Sequence, residues 1–119
     1  MIRLILVLSS TMLISNITHA ADPAEAGNAD AGHQFWTKQY TRNSEIRSCA
    51  SCQTADPRQP GKHVRTSKAI KPLSPTVNAL SLTHPKNIDT WYRRNCKRTL
   101  VRECTAYEKS DVLAFLKSL

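Results

Sequence analysis

The 119-residue chain is short of acid: nine Asp and Glu stand against seventeen Lys and Arg, a formal net charge of +8. A surface so basic suits an acidic protein partner or an anionic membrane face, and it equally serves solubility. It comes with no recognisable nucleic-acid-binding motif, so nucleic acid is not expected as a partner of an exported chain. The longest mostly apolar stretch, residues 4–14 (LILVLSSTMLI), is too short to span a bilayer. β-rich segments, internal repeats and coiled-coil heptads are also missing, which leaves a small all-α domain as the expected class.

What is present begins with a leader. Arg3 precedes the apolar stretch, and Thr18-His19-Ala20 resembles a cleavage site of small residues. Residues 1–20 therefore read as a cleaved signal peptide, residues 21–30 (ADPAEAGNAD) as a loose mature N-terminus, and residues 31–119 as one domain. Export implies a periplasmic setting, where thiols oxidise. Loss of Arg3 with the leader removes one positive charge.

Helical spacing of Phe35, Trp36, Gln39 and Tyr40 predicts a first helix from about Ala31 to Thr41. Residues 54–84 carry Pro57, Pro60-Gly61, Pro72 and Pro75, and read as a long irregular loop. A loop of that length is unusual in a small domain unless it wraps something. Pro85 suits the first position of a helix over 85–99, with Ile88, Trp91, Tyr92 and Cys96 at helical spacing. Thr105-x-x-Glu108 is a capping box opening the last helix, whose apolar stripe is Val112, Leu113, Leu116 and Leu119.

The four cysteines form two pairs. Cys49-Ala50-Ser51-Cys52 has the thiol spacing of c-type haem attachment, C-x-x-C-H, in which the residue after the second cysteine supplies an imidazole to iron. Here that residue is Gln53. A primary amide is a much weaker iron ligand than an imidazole. Three other readings of the pair stand beside haem: a thioredoxin-type redox pair, a zinc site, and a plain oxidised vicinal pair. The first wants a preceding core strand and the second wants two more ligands. His63 is the loop histidine weighed as a substitute ligand. Cys96 and Cys104 flank the short join between the last two helices, and in an oxidising compartment that spacing favours a disulfide. Asn95 shares the apolar face of its helix, so it needs either a backbone partner or a place in a pocket. Lys62, Arg65, Lys68 and Lys71 form a basic run along the loop, placed to meet haem propionates or only water.

Beyond these motifs, residues 32–119 resemble the sphaeroides haem protein family of small class I c-type cytochromes. The resemblance rests on Phe35-Trp36, on Arg47-Ser48-Cys49-Ala50-Ser51-Cys52, on residues 66–73 (TSKAIKPL), on Trp91-Tyr92-Arg93-Arg94-Asn95-Cys96, and on Arg102-Glu103-Cys104 with Glu108-Lys109-Ser110-Asp111. Its most specific part is the R-N-C…R-[DE]-C pairing. The chain departs from the family twice: Ser67 stands where glycine is usual, and Gln53 stands at the position of the proximal histidine.

The resemblance implies a class I cytochrome c-like fold with a long proline-containing loop. It implies covalent haem c on Cys49 and Cys52, a Cys96–Cys104 disulfide, and Asn95 as the displaceable distal iron ligand. The function so implied is that of a periplasmic monohaem cytochrome, not an enzyme, that transfers electrons or binds a small diatomic ligand such as oxygen. Its redox partner would be an acidic protein or a membrane-bound cytochrome. The alternative is a haem-free, disulfide-stapled periplasmic binding module that keeps the fold; a thiol–disulfide oxidoreductase is the third reading.

Overall fold

The computed structural model describes residues 26–119. The expected signal peptide and the first half of the expected loose N-terminus lie outside the described residues. Among these residues four helices, α1 (Ala29–Thr37), α2 (Ala50–Gln53), α3 (Pro85–Leu100) and α4 (Ala106–Lys117), carry the architecture, with two small antiparallel ribbons between them. Strands β1 (Tyr40–Arg42) and β2 (Glu45–Arg47) pair Tyr40 with Arg47 and Arg42 with Glu45. Strands β3 (Gly61–Lys62) and β4 (Ala69–Ile70) pair Gly61 with Ile70. The class is helical as expected; the two ribbons are an addition.

The first helix differs from expectation at both ends. It starts at Ala29, because the Asn28 side chain accepts from the Ala31 N–H and caps it. Asn28 is itself held across the fold, its backbone N–H donating to Asp111 Oδ1 at 2.7 Å. Residues 27–30, expected to be loose, are thus docked. The helix stops at Thr37, and Tyr40 belongs to β1. Its ring meets Phe35 at 5.9 Å from the strand.

Gly32 lets α1 lie directly on α4. A β-carbon at that position would sit 2.0 Å from the Asp111 carbonyl oxygen, so no other residue fits without separating the helices. Trp36, on the same helix, is fully buried and anchors a core of Tyr92, Cys96, Cys104, Val112, Phe115 and Leu116. Its ring stacks on Trp91, with centroids 6.1 Å apart and planes 8° from parallel. Phe115 is buried beside Val112 and Leu116, a core member that the expected stripe omitted.

Helix α3 starts at Pro85 and α4 opens on the expected capping box. Thr105 accepts from the Glu108 N–H, while Glu108 accepts from the Thr105 N–H. Cys96 and Cys104 are joined by a disulfide, with Cα atoms 5.6 Å apart. The stretch 54–84 is less irregular than its prolines suggest. It holds the β3–β4 ribbon, and Ser74, fully buried, donates to the Leu119 carbonyl at 3.2 Å, tying the loop to the C-terminal residue.

Candidate functional site

The short helix α2 is a single turn. The Gln53 N–H donates to the Cys49 carbonyl at 3.2 Å, and the Ser48 N–H donates to Ser51 Oγ at 2.8 Å. The turn drives Cys49 inward and leaves Cys52 half-buried, both as free thiols. Burial pushes the Cys49 thiol up to about 12, and Cys52 adds to the rise. At neutral pH such a thiol keeps its proton.

Gln53 ends the turn and is buried, 6% exposed. The next residue, Thr54, has φ 66° and ψ 164°, a region that β-branched residues scarcely occupy. It is held there from two sides. Trp36 Nε1–H donates to its carbonyl at 2.8 Å, and its own hydroxyl donates to the Asp56 carbonyl at 2.6 Å. Strain of this kind costs about 1–3 kcal/mol and gathers where the backbone is shaped for a purpose. Gly61 presses on the same turn from β3: a β-carbon there would lie 2.3 Å from the Cys52 carbonyl oxygen and 3.0 Å from Gln53 Cα.

Gln53 opens into a cavity of about 490 Å³ that is also lined by His63, Ile70 and a face of α3. That face is Asn87, Thr90, Trp91, Arg94, Asn95 and Arg98, spaced three, one, three, one and three residues apart. The volume lies within the range of small-ligand and cofactor sites. A second cavity of about 270 Å³ shares Ile70, Asn87 and Trp91 with it and reaches Leu73, Leu82 and His84.

Asn95 is committed on one side only. Its Nδ2 donates to the Trp91 carbonyl at 2.9 Å, which orients the amide and leaves Oδ1 for the cavity. The residue thus has a backbone partner and also lines the cavity. Trp91 Nε1–H is buried with no hydrogen-bond partner among the described residues. An indole N–H left unpaired costs about 1–3 kcal/mol.

The structure thus brings Gln53, Asn95 and His63 to one cavity, with Cys49 and Cys52 in the turn that ends at its wall. Cys49 and Asn95 also meet at a small apolar gap beside Cys96 and Cys104. The basic run does not enter the cavity: Lys62, Arg65, Lys68 and Lys71 are all exposed. The positive charge at the wall comes from Arg94 and Arg98 of α3. They went unnoticed as site residues because a polar stripe beside an apolar one reads as a solvated helix face; their regular three-and-four spacing with Asn95 was the available signal. Partial burial, then Arg98, Arg65 and Arg47, holds the His63 imidazole below its usual pKa. Among the described residues no helix is long and apolar enough to cross a membrane, and no cluster of three or more His, Cys, Asp or Glu could hold a metal ion.

Residues 22–116 match a family described as a domain of unknown function, DUF1924. Two characterised relatives add content. The chain is 33% identical over 104 residues to cytochrome c'' of Methylophilus methylotrophus, covering 86% of this chain and 72% of the relative. It is 35% identical over 109 residues to the cytochrome c-type protein SHP of Cereibacter sphaeroides, covering 91% and 82%. Solved structures agree. Oxidized cytochrome c'' superposes with a TM-score of 0.71 at 33% identity over 85% of this chain and 84% of that one. Oxidized SHP, an oxygen-binding cytochrome c, superposes with a TM-score of 0.74 at 31% identity over 82% and 89%. The chain therefore belongs to the DUF1924 family and to the family of small c-type cytochromes that includes cytochrome c'' and SHP.

Proposed function

We propose that this protein is an exported monohaem c-type cytochrome that carries electrons or binds a small diatomic ligand, and that it is not an enzyme. One observation carries the reading: the cavity that holds Gln53 and Asn95 begins at the turn of two free thiols in C-x-x-C spacing. The residues fit covalent haem. Cys49 and Cys52 would form the two thioethers, and Gly61 keeps the strand behind the turn close without blocking it. Arg94 and Arg98 offer counter-charges for propionates, and the unpaired Trp91 N–H is a donor in want of an acceptor. When bound, haem c supplies a one-electron redox centre and a coordination position for a small ligand.

The chain's own contribution is positional. The Cys96–Cys104 disulfide lies next to Asn95 in sequence and fixes the last turns of α3. Asn95, whose Nδ2 donates to the Trp91 carbonyl, lines the cavity and would serve as the displaceable distal ligand. The exposed lysines and arginines suit an acidic redox partner or the face of a membrane-bound cytochrome. Periplasmic location follows from the leader-like residues 1–20.

The haem-free binding module keeps every contact of the fold and differs only in cofactor content. A thiol–disulfide oxidoreductase needs an exposed thiol with a depressed pKa; Cys49 is buried and its pKa is raised. The test is expression with the c-type maturation machinery, followed by intact mass after denaturation. Mature chain plus one haem is expected. The mass of the bare chain, while Gln53→His is loaded under the same conditions, would refute present-day haem attachment and leave the module.

A further inference from the structure

Positive charge is matched unevenly over the molecule. Arg58 and Arg102 each grip a carboxylate, Asp56 at 2.8 Å and Glu108 at 2.7 Å. Among the described residues Arg42, Arg65 and Arg98 make no ion pair, and Arg47 meets only Glu45, whose side chain is largely exposed. Yet Arg42, Arg47 and Arg98 are half-buried. A cation partly withdrawn from water without a full counter-charge is costly.

Three elements bring these groups together. Strands β1 and β2 carry Arg42 and Arg47, the turn between β3 and β4 carries Arg65, and α3 carries Arg98. Arg42 fixes the arrangement: its Nη1 donates to the Arg98 and Lys97 carbonyls at 3.4 and 3.5 Å, at the C-terminal end of α3. Arg42, Arg47 and Arg65 line a cavity of about 430 Å³. Arg98 lines the Gln53 cavity with His63, and His63 is two residues from Arg65.

His63 adds a donor. Its Nδ1 accepts from the Arg65 N–H at 3.4 Å and the Thr66 N–H at 3.2 Å, so the ring proton lies on Nε2. That Nε2–H has no hydrogen-bond partner among the described residues. Partial burial, then Arg98, Arg65 and Arg47, keeps the ring neutral at neutral pH, and no carboxylate offsets those three guanidiniums.

We propose that the His63 Nε2–H, Arg47, Arg65 and Arg98 form a binding site for an oxyanion of the carboxylate or phosphate class. Guanidinium forks and a neutral N–H are donors that such a group accepts from, and it brings the charge that the arginines lack. A haem propionate is one source of that chemistry, which rests on the haem reading above; a free anion is the other, which does not.

The test uses the full chain expressed with and without the maturation machinery, with haem content read by intact mass. On haem-free chain, inorganic phosphate is titrated against sodium chloride at equal ionic strength while the nitrogen-15 signals of the His63 ring are followed. Saturable movement with phosphate alone is expected. Arg47→Gln with Arg65→Gln should weaken binding about tenfold or more, the loss of at least one charge-assisted hydrogen bond. Lys86→Gln with Lys117→Gln removes the same charge from exposed positions elsewhere and should leave it unchanged. Unchanged far-UV circular dichroism confirms that each variant folds. On haem-loaded chain, the resonance Raman band for propionate bending, which follows hydrogen bonding to the carboxylate, should move in the arginine variant and not in the lysine variant. A fixed band with a retained phosphate response assigns the site to a free anion. A chain that takes up no haem yet binds phosphate loses the haem reading and keeps the site. Absence of both the phosphate response and the band shift, or responses equal in the two double variants, overturns the site.

Discussion

Cys96 and Cys104 sit among groups that satisfy one another. They are bonded, the α4 cap is closed reciprocally, and Arg102 grips Glu108 through two nitrogens at 2.8 and 2.7 Å. Cys49 and Cys52 sit among groups that do not. Both thiols are free, Gln53 is buried at a cavity wall, Thr54 holds a strained backbone, and the Trp91 indole N–H across the cavity has no partner among the described residues. The first region is complete as a fold. The second is shaped for something the polypeptide does not contain, because evolution retains unsatisfied polar groups and strained residues mainly where binding compensates them.

The contrast is broken most directly at the thiols. Replacing both Cys49 and Cys52 with alanine should abolish covalent haem entirely, so that intact mass after denaturation equals the bare mature chain. Removing the other pair by Cys96→Ala with Cys104→Ala should leave attachment possible but cost about 2.5 kcal/mol of stability, the chain-entropy value for so short a loop. Thermal unfolding should then fall by about 10–20 °C for a domain of this size. A loss below about 1 kcal/mol would mean that the capping box and the Arg102–Glu108 pair hold the helix join without the disulfide.

Gly32→Ala tests whether the complete region depends on close helix contact. The added carbon meets the Asp111 carbonyl, and about 2 kcal/mol should be lost in denaturant melts. Thr54→Gly probes the incomplete region. Glycine accepts the φ and ψ of Thr54, so the haem-free chain should gain about 1 kcal/mol after the entropy of the unfolded glycine and the lost Asp56 bond are counted. No gain would mean that the hydroxyl bond, not the cofactor, keeps threonine there.

The smallest effect is in pH. Hydrogen bonds from Arg102 chiefly hold the Glu108 carboxyl below its ordinary 4.5. A carboxylate depressed in the folded state adds stability above its unfolded pKa and loses it as the pH falls through the folded value. Thermal unfolding should therefore drop as pH falls from about 5 toward 3, and Glu108→Gln should flatten that slope without moving haem content.

Residues close in sequence were legible; residues brought together over distance were not. The capping box, the Pro85 start and the Cys96–Cys104 bond all lie within short separations, and each appears where its local chemistry puts it. The first helix was misread at its end, because Tyr40 keeps helical spacing yet pairs with Arg47 in a ribbon. The local mark of that choice is the Asn43-Ser44 turn, both residues at positive φ, which closes the ribbon between Arg42 and Glu45. Ser67 is a further case. It adopts φ near +56° within the His63 turn, a region that glycine occupies with less strain.

By itself the sequence determined the helical class, the two cysteine pairs, the leader-like N-terminus and the amide of Gln53 directly after the C-x-x-C thiols, because each is a matter of residue type and short spacing. Only the tertiary structure decided that Gln53, His63 and Asn95 share one cavity, that Arg94 and Arg98 supply its charge while the loop lysines face water, and that Cys49 is buried beyond easy ionisation. Those facts depend on a strand pressing Gly61 onto the C-x-x-C turn and on α1 closing against α4 through Gly32. Such contacts join residues far apart in the chain, and their energies come from packing and desolvation, which no local pattern encodes.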